Sequence, residues 1–409
     1  MEKADFYREA RSEGTGPLEG LRVLEATTTW AGPLCSCMLA DFGADVIKVE
    51  HPRGEMARIA PPYLPGTDPP VGFMQATVNR NKRSLTLDLK QAEAREIFLR
   101  LAARSDVVVE NFRPGTLAGW GLGYDHVRAV RPDVVYVSIS GWGQFGTRHD
   151  RAGYDPLAQA ASGFMSLNGD PKGEPTKAPT FIGDDLAGLH AAFATLAALH
   201  HRGRTGEGQH VDVSLLDALL FQSNGYPTLA AMGVELPRLG NEFRIAAPAR
   251  TYRARDGRVA IGVLLDSHWK ILANVIGRPE LADHPDYATT PARLAHRGEV
   301  DAMMEAWVAE RDVAEILALF EEAELPGAPV RSYAEAIRDP LVAERDMLQT
   351  VPQQDGTPAP IVGPAAKLSR TPTRVRRGAP ALGAHDDEIL AELGLSEEER
   401  AGLRARRVI

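Results

Sequence analysis

The sequence is poor in cysteine, in long apolar runs and in excess positive charge, and each shortage excludes a class of protein. Only two of the 409 residues are cysteine, too few for a disulfide framework or a cysteine-rich zinc site. No apolar run approaches the roughly 20 residues needed to span a bilayer, and the N-terminal segment lacks the apolar core of a signal peptide. The net charge of −9 argues against general nucleic-acid binding. We therefore expect a cytoplasmic protein without membrane or nucleic-acid partners.

The N-terminal half alternates short β-rich runs with helical segments, which predicts βαβ units and a parallel sheet. Strands are predicted at 21–26, 44–50, 85–89, 106–111, 134–140 and 210–215. Helices are predicted at 33–42, 91–104, from about 116, and at 185–202, where Gly203 is expected to end the helix. Asp184 or Asp185 would cap this last helix.

The pattern changes after about residue 225. Asp256-Gly257 separates two β-like runs in 250–263, which predicts a hairpin, and helices are predicted around 269–276, 300–310 and 313–323. The segment 351–380 is proline-rich and is expected to be irregular, before a helix near 386–393. We predict a large domain from 1–224 together with 335–409, and a small α+β domain from 225–334.

Several segments are candidate sites by their residue types alone. The first βα turn, 27–33, is where a nucleotide-binding fold meets its ligand, although GxGxxG is missing. The run 79–84 packs three cations into four residues, which suits phosphate or a solvated loop. One of Asp184 and Asp185 is left over after capping, and a carboxylate at a helix start is a candidate nucleophile. A reactive Cys35 thiol is the remaining alternative. Signatures of common hydrolases, NTPases and zinc proteases are missing.

Taken together, the segments resemble one family. The matching segments, in order, are Leu21–Pro52, Asn79–Leu89, Asp106–Gly115, Gly153–Pro156, Gly183–Gly188 and Arg204–Leu219. They are similar to the family III CoA-transferases, which include formyl-CoA transferase, carnitine CoA-transferases and the α-methylacyl-CoA racemases. The resemblance implies an α/β fold, with a Rossmann-like large domain built on a parallel sheet and a smaller α+β domain. It also implies an interlocked homodimer.

The resemblance further implies a CoA-transferase that moves CoA from an acyl-CoA thioester to a free carboxylic acid. The matching nucleophile is Asp184, which would form an aspartyl anhydride and then a thioester. The substrates would be a coenzyme A thioester and an acid, with no metal and no tightly bound cofactor. The residues that match CoA-binding positions, or that supply cations near them, are Thr29, Trp30, Ala31, His51, Arg58, Lys82, Arg83, Asn111, Phe112, Arg113, Tyr154 and Asp155.

Departures from the family pattern bear on the substrate. Gly119 and Ser140 stand where formyl-CoA transferase has an arginine and a lysine, and the glycine-rich loop of that enzyme has no counterpart. Arg244, in the corresponding region, suggests a dicarboxylate such as succinate.

Two alternatives stay open. One is an acyl-CoA racemase, although Tyr154 replaces the histidine of the racemases and a phenol is a poor base near pH 7. The other is one subunit of a hetero-oligomeric transferase.

Overall fold

The structure, a computed structural model, describes residues 1–409 and divides into two compact units. The first unit comprises Met1–Met165, Lys177–Val234 and Pro340–Ile409, and the second comprises Ser166–Thr176 and Glu235–Asp339. The segment 166–176, which the sequence analysis placed in the large domain, therefore lies in the second unit.

A six-stranded parallel sheet forms the centre of the first unit, as the alternating pattern predicts, in the order β3-β2-β1-β4-β5-β6. Its strands are β1 (Arg22–Ala26), β2 (Asp45–Glu50), β3 (Arg83–Thr86), β4 (Val107–Glu110), β5 (Val135–Ser140) and β6 (Gln209–Ser214). The strand order reverses between β1 and β4, which pair in parallel. In open α/β sheets, ligands bind beyond the carboxyl ends of the strands at this switch point.

Helices flank this sheet in the first unit. Their bounds are α1 (Lys3–Phe6), α2 (Ala31–Asp41), α3 (Met56–Ile59), α4 (Phe73–Val78), α5 (Ala92–Ala102), α6 (Thr116–Gly119), α7 (Tyr124–Val130), α8 (Asp155–Ala161), α9 (Ile182–Thr205), α10 (Leu215–Phe221) and α11 (Tyr226–Ala231). A 3-10 turn at Phe164–Leu167 spans the passage of the chain from the first unit into the second.

Alternate residues of each strand enter two separate cores, because successive side chains point to opposite faces of a sheet. One core contains Leu24, Val108 and Tyr136 together with residues of α5 and the C-terminal segment. The other contains Val23 and Val135 together with residues of α2, α9 and α10. The sheet is thus covered on both faces, which explains why its strands are almost wholly buried.

Helix α9 begins earlier and ends later than predicted. It continues through Gly203 to Thr205, and Gly206 ends it in the left-handed conformation, at φ 77°. Its N-cap is Phe181, so the prediction that Asp184 or Asp185 caps the helix is wrong. By length and composition α9 could cross a membrane, contrary to the expectation that no segment could. However, buried core helices pass the same test, and Ala187, Ala191 and Ala198 of α9 belong to the second core.

The second unit contains the predicted hairpin. Strands β7 (Ala249–Arg253) and β8 (Arg258–Gly262) pair antiparallel around Asp256-Gly257, and β9 (Gly327–Pro329) joins β8. The helices of this unit are α12 (Asp266–Val275), α13 (Thr290–Ala295), α14 (Arg297–Ala309), α15 (Val313–Glu322) and α16 (Tyr333–Ala336), with a 3-10 turn at Pro279–Leu281. Trp269, Trp307 and Phe320 belong to its own core.

The C-terminal segment returns to the first unit and is more regular than predicted. It contains helix α17 (Pro340–Glu344), an antiparallel pair β10 (Leu348–Pro352) and β11 (Pro358–Val362), and helices α18 (Asp386–Glu392) and α19 (Glu397–Ala405). The expectation that 351–380 is irregular is wrong for this strand pair. Val351 and Ile361 are buried with Val71 and Ala76, so packing overrides the proline content.

Gly188 allows α9 to approach α2 closely. A Cβ atom at Gly188 would lie 2.9 Å from the Ala31 carbonyl oxygen and 3.2 Å from the Leu34 Cβ. We predict that Gly188→Ala lowers the free energy of unfolding by about 1–3 kcal/mol through overpacking. Urea denaturation followed by circular dichroism measures this. Gly203→Ala in the same helix is the matched control, because its Cβ would meet nothing within 4 Å; there we expect a gain of about 0.5–1 kcal/mol. Equal effects of the two substitutions would contradict the packing argument.

Candidate active site

Asp184 lies in the first turn of α9, and a second carboxylate organises the start of that helix. Asp155, at the beginning of α8, is almost fully buried, and its Oδ1 accepts a hydrogen bond from the Gly183 amide at 2.7 Å. Its Oδ2 accepts one from Gln159 Nε2 at 2.7 Å, while Gln159 Oε1 accepts one from the Ala178 amide at 2.8 Å. Asp155 therefore supplies the cap that neither Asp184 nor Asp185 supplies.

Asp185 ties the same helix start to the first βα turn. Its Oδ1 accepts a hydrogen bond from Trp30 Nε1 at 2.7 Å, and the Trp30 ring lies 5.4 Å from that of Phe181. Gly183 is also spatially constrained, because a Cβ there would lie 3.0 Å from Asp155 Oδ1 and 3.1 Å from Leu219 Cδ1. The segment Gly183–Asp185 is thus fixed by Asp155 through the Gly183 amide and by Trp30 through the Asp185 carboxylate.

The electrostatics of this region single out Asp184. Burial, followed by repulsion from Asp155 and Asp185, raises the pKa of the Asp184 carboxyl to about 7, with no hydrogen bond to oppose it. Burial also raises the pKa of Asp185, although the Trp30 hydrogen bond works against this. A half-buried carboxylate that lacks donors is poorly stabilised as an anion, and this makes it a stronger nucleophile once it is ionised.

A cavity of about 160 Å³ lies at the carboxyl ends of the first four strands. Its walls come from the segments that follow β1, β2, β3 and β4, which is where the switch point places a ligand. The lining residues are Thr27, Thr28, Val49, Glu50, His51, Gly54, Glu55, Leu87, Asp88, Leu89, Lys90, Phe112 and Trp120. Of the residues predicted to bind CoA, this cavity brings together His51 and Phe112.

Asn111 joins the loops that follow β1 and β4. Its Oδ1 accepts a hydrogen bond from the Thr28 amide, and its Nδ2 donates one to the Thr28 carbonyl oxygen, both at 2.8 Å. Gly32 allows this approach, because a Cβ there would lie 2.9 Å from Asn111 Cγ. The predicted residue Asn111 thus shapes the cavity edge without lining it.

The first βα turn serves both regions. Thr27 and Thr28 line the cavity, while Trp30 reaches Asp185 of α9. Thr29 lies between them with a positive φ of 69°, and its amide donates to Glu55 Oε2 at 2.7 Å. Ala31 is buried as the first residue of α2.

A buried charge cluster contacts this turn. Its members are Glu25, Lys48, Glu55 and Lys82. The Lys48 ammonium lies 3.2 Å from Glu25 Oε1 and 3.0 Å from Glu55 Oε1, and the Lys82 ammonium lies 2.7 Å from Glu25 Oε2. Lys82 also donates to the Pro33 carbonyl oxygen at 2.8 Å and to Asn79 Oδ1 at 3.0 Å. The Lys82 side chain has 0% exposure, so the structure gives it internal partners where the sequence analysis expected phosphate.

Three other cations that were predicted to bind CoA also have partners within the protein. Arg83 is mostly buried and pairs with Asp45 at 2.5 Å and with Glu392 at 2.6 Å. Arg58 pairs with both oxygens of Glu50, at 2.7 and 2.6 Å. Arg113 is exposed and donates to the Asp150 carbonyl oxygen. A guanidinium held by carboxylates has little capacity left for a ligand phosphate.

The predicted residues Tyr154 and Cys35, and the neighbouring Cys37, also lie outside the cavity lining. Tyr154 is the N-cap of α8 and is 65% exposed. Cys35 and Cys37 are buried in α2, and burial raises the pKa of each thiol to about 12. Neither is a thiolate near neutral pH, so the Cys35 nucleophile hypothesis loses its physical basis.

Sequence reasoning missed Lys90 and Trp120. Lys90 is an exposed cation that follows the Leu87–Leu89 run, and Trp120 packs on Phe112 with ring centroids 5.8 Å apart. The position of Lys90 directly after a predicted strand was a usable signal, because strand carboxyl ends form the ligand edge.

Fold and site together define an α/β protein with a cavity at the switch point of a parallel sheet and a half-buried carboxylate in the first turn of helix α9. The model of "CoA-transferase family III" matches residues 18–386. The chain belongs to this family and is a CoA-transferase.

Curated relatives match over nearly their full length. The chain is 38% identical to the succinate–glutarate CoA-transferase of Agrobacterium fabrum, covering 92% of this chain and 96% of that protein. It is 39% identical to the succinyl-CoA:mesaconate CoA-transferase of Haloarcula hispanica, with coverages of 93% and 97%. It is 37% identical to the succinyl-CoA–L-malate CoA-transferase beta subunit of Chloroflexus aurantiacus, with coverages of 97% and 98%.

Solved structures share the fold. A CaiB/BaiF family protein from Brucella suis superposes with a TM-score of 0.82 at 34% identity, covering 93% of this chain and 100% of that chain.

Replacement of Lys82 tests whether this lysine stabilises the fold or binds a ligand. We predict that Lys82→Met lowers the free energy of unfolding by about 3–5 kcal/mol, because Glu25 then keeps only part of its charge compensation in a buried site. Chemical denaturation measures the change. Lys90→Met is the matched control, since Lys90 is exposed and should leave stability within about 0.5 kcal/mol. Unchanged stability of Lys82→Met would contradict the role assigned to the cluster.

Proposed function

We propose that this CoA-transferase exchanges CoA between carboxylic acids, including dicarboxylates, through a covalent intermediate on Asp184. The observation that carries the proposal is the Asp184 carboxylate itself, half-buried at the start of α9 with a pKa raised to about 7 by burial, Asp155 and Asp185. Above that pH it is an anion with weak solvation, which suits nucleophilic attack.

The proposed reaction balances with carboxylates and thiolate alone. An Asp184 oxygen attacks the donor thioester carbonyl, and the C–S bond breaks to give a mixed anhydride and CoA thiolate. The thiolate attacks the aspartyl carbonyl, which releases the donor acid as a carboxylate and leaves an aspartyl-CoA thioester. The acceptor carboxylate repeats the two steps in reverse and leaves with CoA, which restores Asp184. No proton need be transferred in the net exchange.

The cavity at the strand ends is the proposed site for the adenosine end of CoA. Phe112 and Trp120 offer aromatic surface, Lys90 offers positive charge, and His51 offers an imidazole that can hydrogen-bond to phosphate. We assign phosphate contacts to Lys90 and His51, with Arg53 and Arg113 as exposed neighbours, because Arg58, Lys82 and Arg83 are engaged internally. Thr29, Trp30 and Ala31 would carry the pantetheine from this cavity toward Asp184.

The names of three relatives support dicarboxylate substrates, since each acts on succinate or its CoA ester. We infer a succinyl-type donor or acceptor for this chain. A homodimer in the cytoplasm remains our proposal for its assembly and location. The beta-subunit relative supports, as a second possibility, a heteromer with a related chain.

Asp184→Asn should reduce CoA exchange at least about a thousandfold, because it removes the nucleophile. Hydroxylamine added during turnover should trap wild-type Asp184, detected by peptide mass spectrometry. Asp185→Asn is the matched control: its amide oxygen can still accept from Trp30, so exchange should stay within about tenfold of wild type. Full exchange by Asp184→Asn would rule out the aspartyl intermediate.

The pH dependence follows from the same carboxyl group. Its folded-state pKa is raised to about 7, so the nucleophilic anion dominates above that pH and the neutral acid below it. We expect kcat to fall about tenfold per pH unit below pH 7. A kcat that stays constant down to pH 5 would contradict the assignment.

Substrate class can be tested with matched acids. With succinyl-CoA as donor, we expect kcat/KM for dicarboxylate acceptors to exceed that for monocarboxylates of equal carbon number by about tenfold or more, the value of one charge-assisted contact. Mass spectrometry of the CoA esters scores the exchange. Deuterium incorporation at the α-carbon of a branched acyl-CoA without any acceptor would instead favour the racemase alternative.

A further inference from the structure

Glu110 is a buried carboxyl group that the proposed reaction leaves unused. It is the last residue of β4, beside the switch point, and is 5% exposed. Its Oε2 accepts a hydrogen bond from the Phe112 amide at 2.9 Å. Phe112 lines the cavity and packs on Trp120. Glu110 therefore fixes the main chain at Phe112, which forms part of the cavity wall.

Ser138 and His210 extend this contact across the sheet. Ser138 of β5 lies opposite Glu110 in register and hydrogen-bonds to its carboxyl group. The Ser138 hydroxyl also lies 2.9 Å from His210 Nε2 on β6, and Tyr124 stacks on the imidazole at 5.0 Å. A hydroxyl carries one proton, so Ser138 donates to only one of its two neighbours at a time.

Burial favours the neutral forms of both His210 and Glu110. Burial lowers the pKa of His210, against the charges of Asp212 on β6 and Asp125 on α7. Burial raises the pKa of Glu110 to about 7, against the hydrogen bonds from Ser138 and Phe112, and Asp212 adds to the increase. Tyr136, on β5, also faces Glu110, and burial raises its pKa far above neutrality. Glu110 therefore changes charge near pH 7.

We propose that Glu110 is a positioning residue for CoA, whose carboxylate holds Phe112 in the cavity wall and whose protonation loosens that wall. In the anion, His210 Nε2–H donates to Ser138, Ser138 donates to Glu110, and Glu110 accepts the Phe112 amide. A proton from solvent on Glu110 reverses the chain: Glu110 donates to Ser138 and Ser138 donates to Nε2, while the imidazole releases its Nε2 proton to solvent and takes one up from solvent at Nδ1. The neutral acid is a weaker acceptor for Phe112.

Binding of free CoA tests this without turnover. Isothermal titration calorimetry from about pH 6 to about pH 8 compares wild type with Glu110→Gln, which cannot ionise. Wild-type Kd should rise about fivefold more than the variant's as the pH falls, the difference between a charged and a neutral acceptor. Glu96→Gln on α5 is the matched control, because Glu96 is exposed, and it should follow wild type. Ionisation of the CoA phosphate affects all three proteins alike, so it cancels when wild type is compared with Glu110→Gln.

Ser138→Ala supplies a second test, in which the direction of the shift in the Kd profile is predicted. Loss of its hydrogen bond removes a contact that lowers the Glu110 pKa, so the midpoint of the Kd profile should move to higher pH. Identical profiles for wild type and Glu110→Gln, or no movement in Ser138→Ala, would overturn the proposal. The inference rests on the proposed CoA cavity, yet the failures differ. Loss of pH dependence with CoA still bound defeats only the role of Glu110, whereas no CoA binding by wild type defeats the cavity as well.

Discussion

The buried charge cluster is the constraint on which the rest of the site depends. Lys48 and Lys82 have no exposed side-chain surface, so each requires the carboxylates that surround it. Burial alone would lower the pKa of Lys48, but Glu25, Glu55 and Glu50 raise it above its ordinary value. Such a cluster contributes little net stability, because desolvation offsets attraction. Its contribution is geometric: it fixes the ends of β1 and β2 and, through Glu55, the strained Thr29.

This geometry gives the first βα turn two roles within four residues. The Thr27 and Thr28 end belongs to the cavity, and the Trp30 end belongs to the start of α9. A ligand bound along the turn would extend from the strand ends toward Asp184, which matches a long cofactor with a reactive terminus. Precise placement of this kind comes from packing and buried hydrogen bonds on rigid elements, and loop flexibility would degrade it.

The periodic parts of the fold could be predicted from sequence, and the buried polar contacts could not. Five predicted strands overlap the parallel sheet closely, but β3 begins two residues before Leu85 and draws Lys82 and Arg83 into the interior. Charge density alone predicts a solvated or ligand-binding loop, since sequence does not reveal that Glu25 and Asp45 lie opposite. Asp155, Asn111 and Glu110 act through partners that are distant in sequence, so no local pattern identifies their bonds.

The division of the chain limits how the protein can be cut into fragments that each contain a whole unit. The chain crosses between the two units four times, after residues 165, 176, 234 and 339. Cleavage at any one crossing leaves three covalent connections. A fragment of residues 235–339 would also lack 166–176, whose main chain accepts hydrogen bonds from Arg238 at Ser166 and Gly173. Neither unit is a continuous stretch of sequence, so gene fusion or truncation would have to preserve both crossings that flank the short segment.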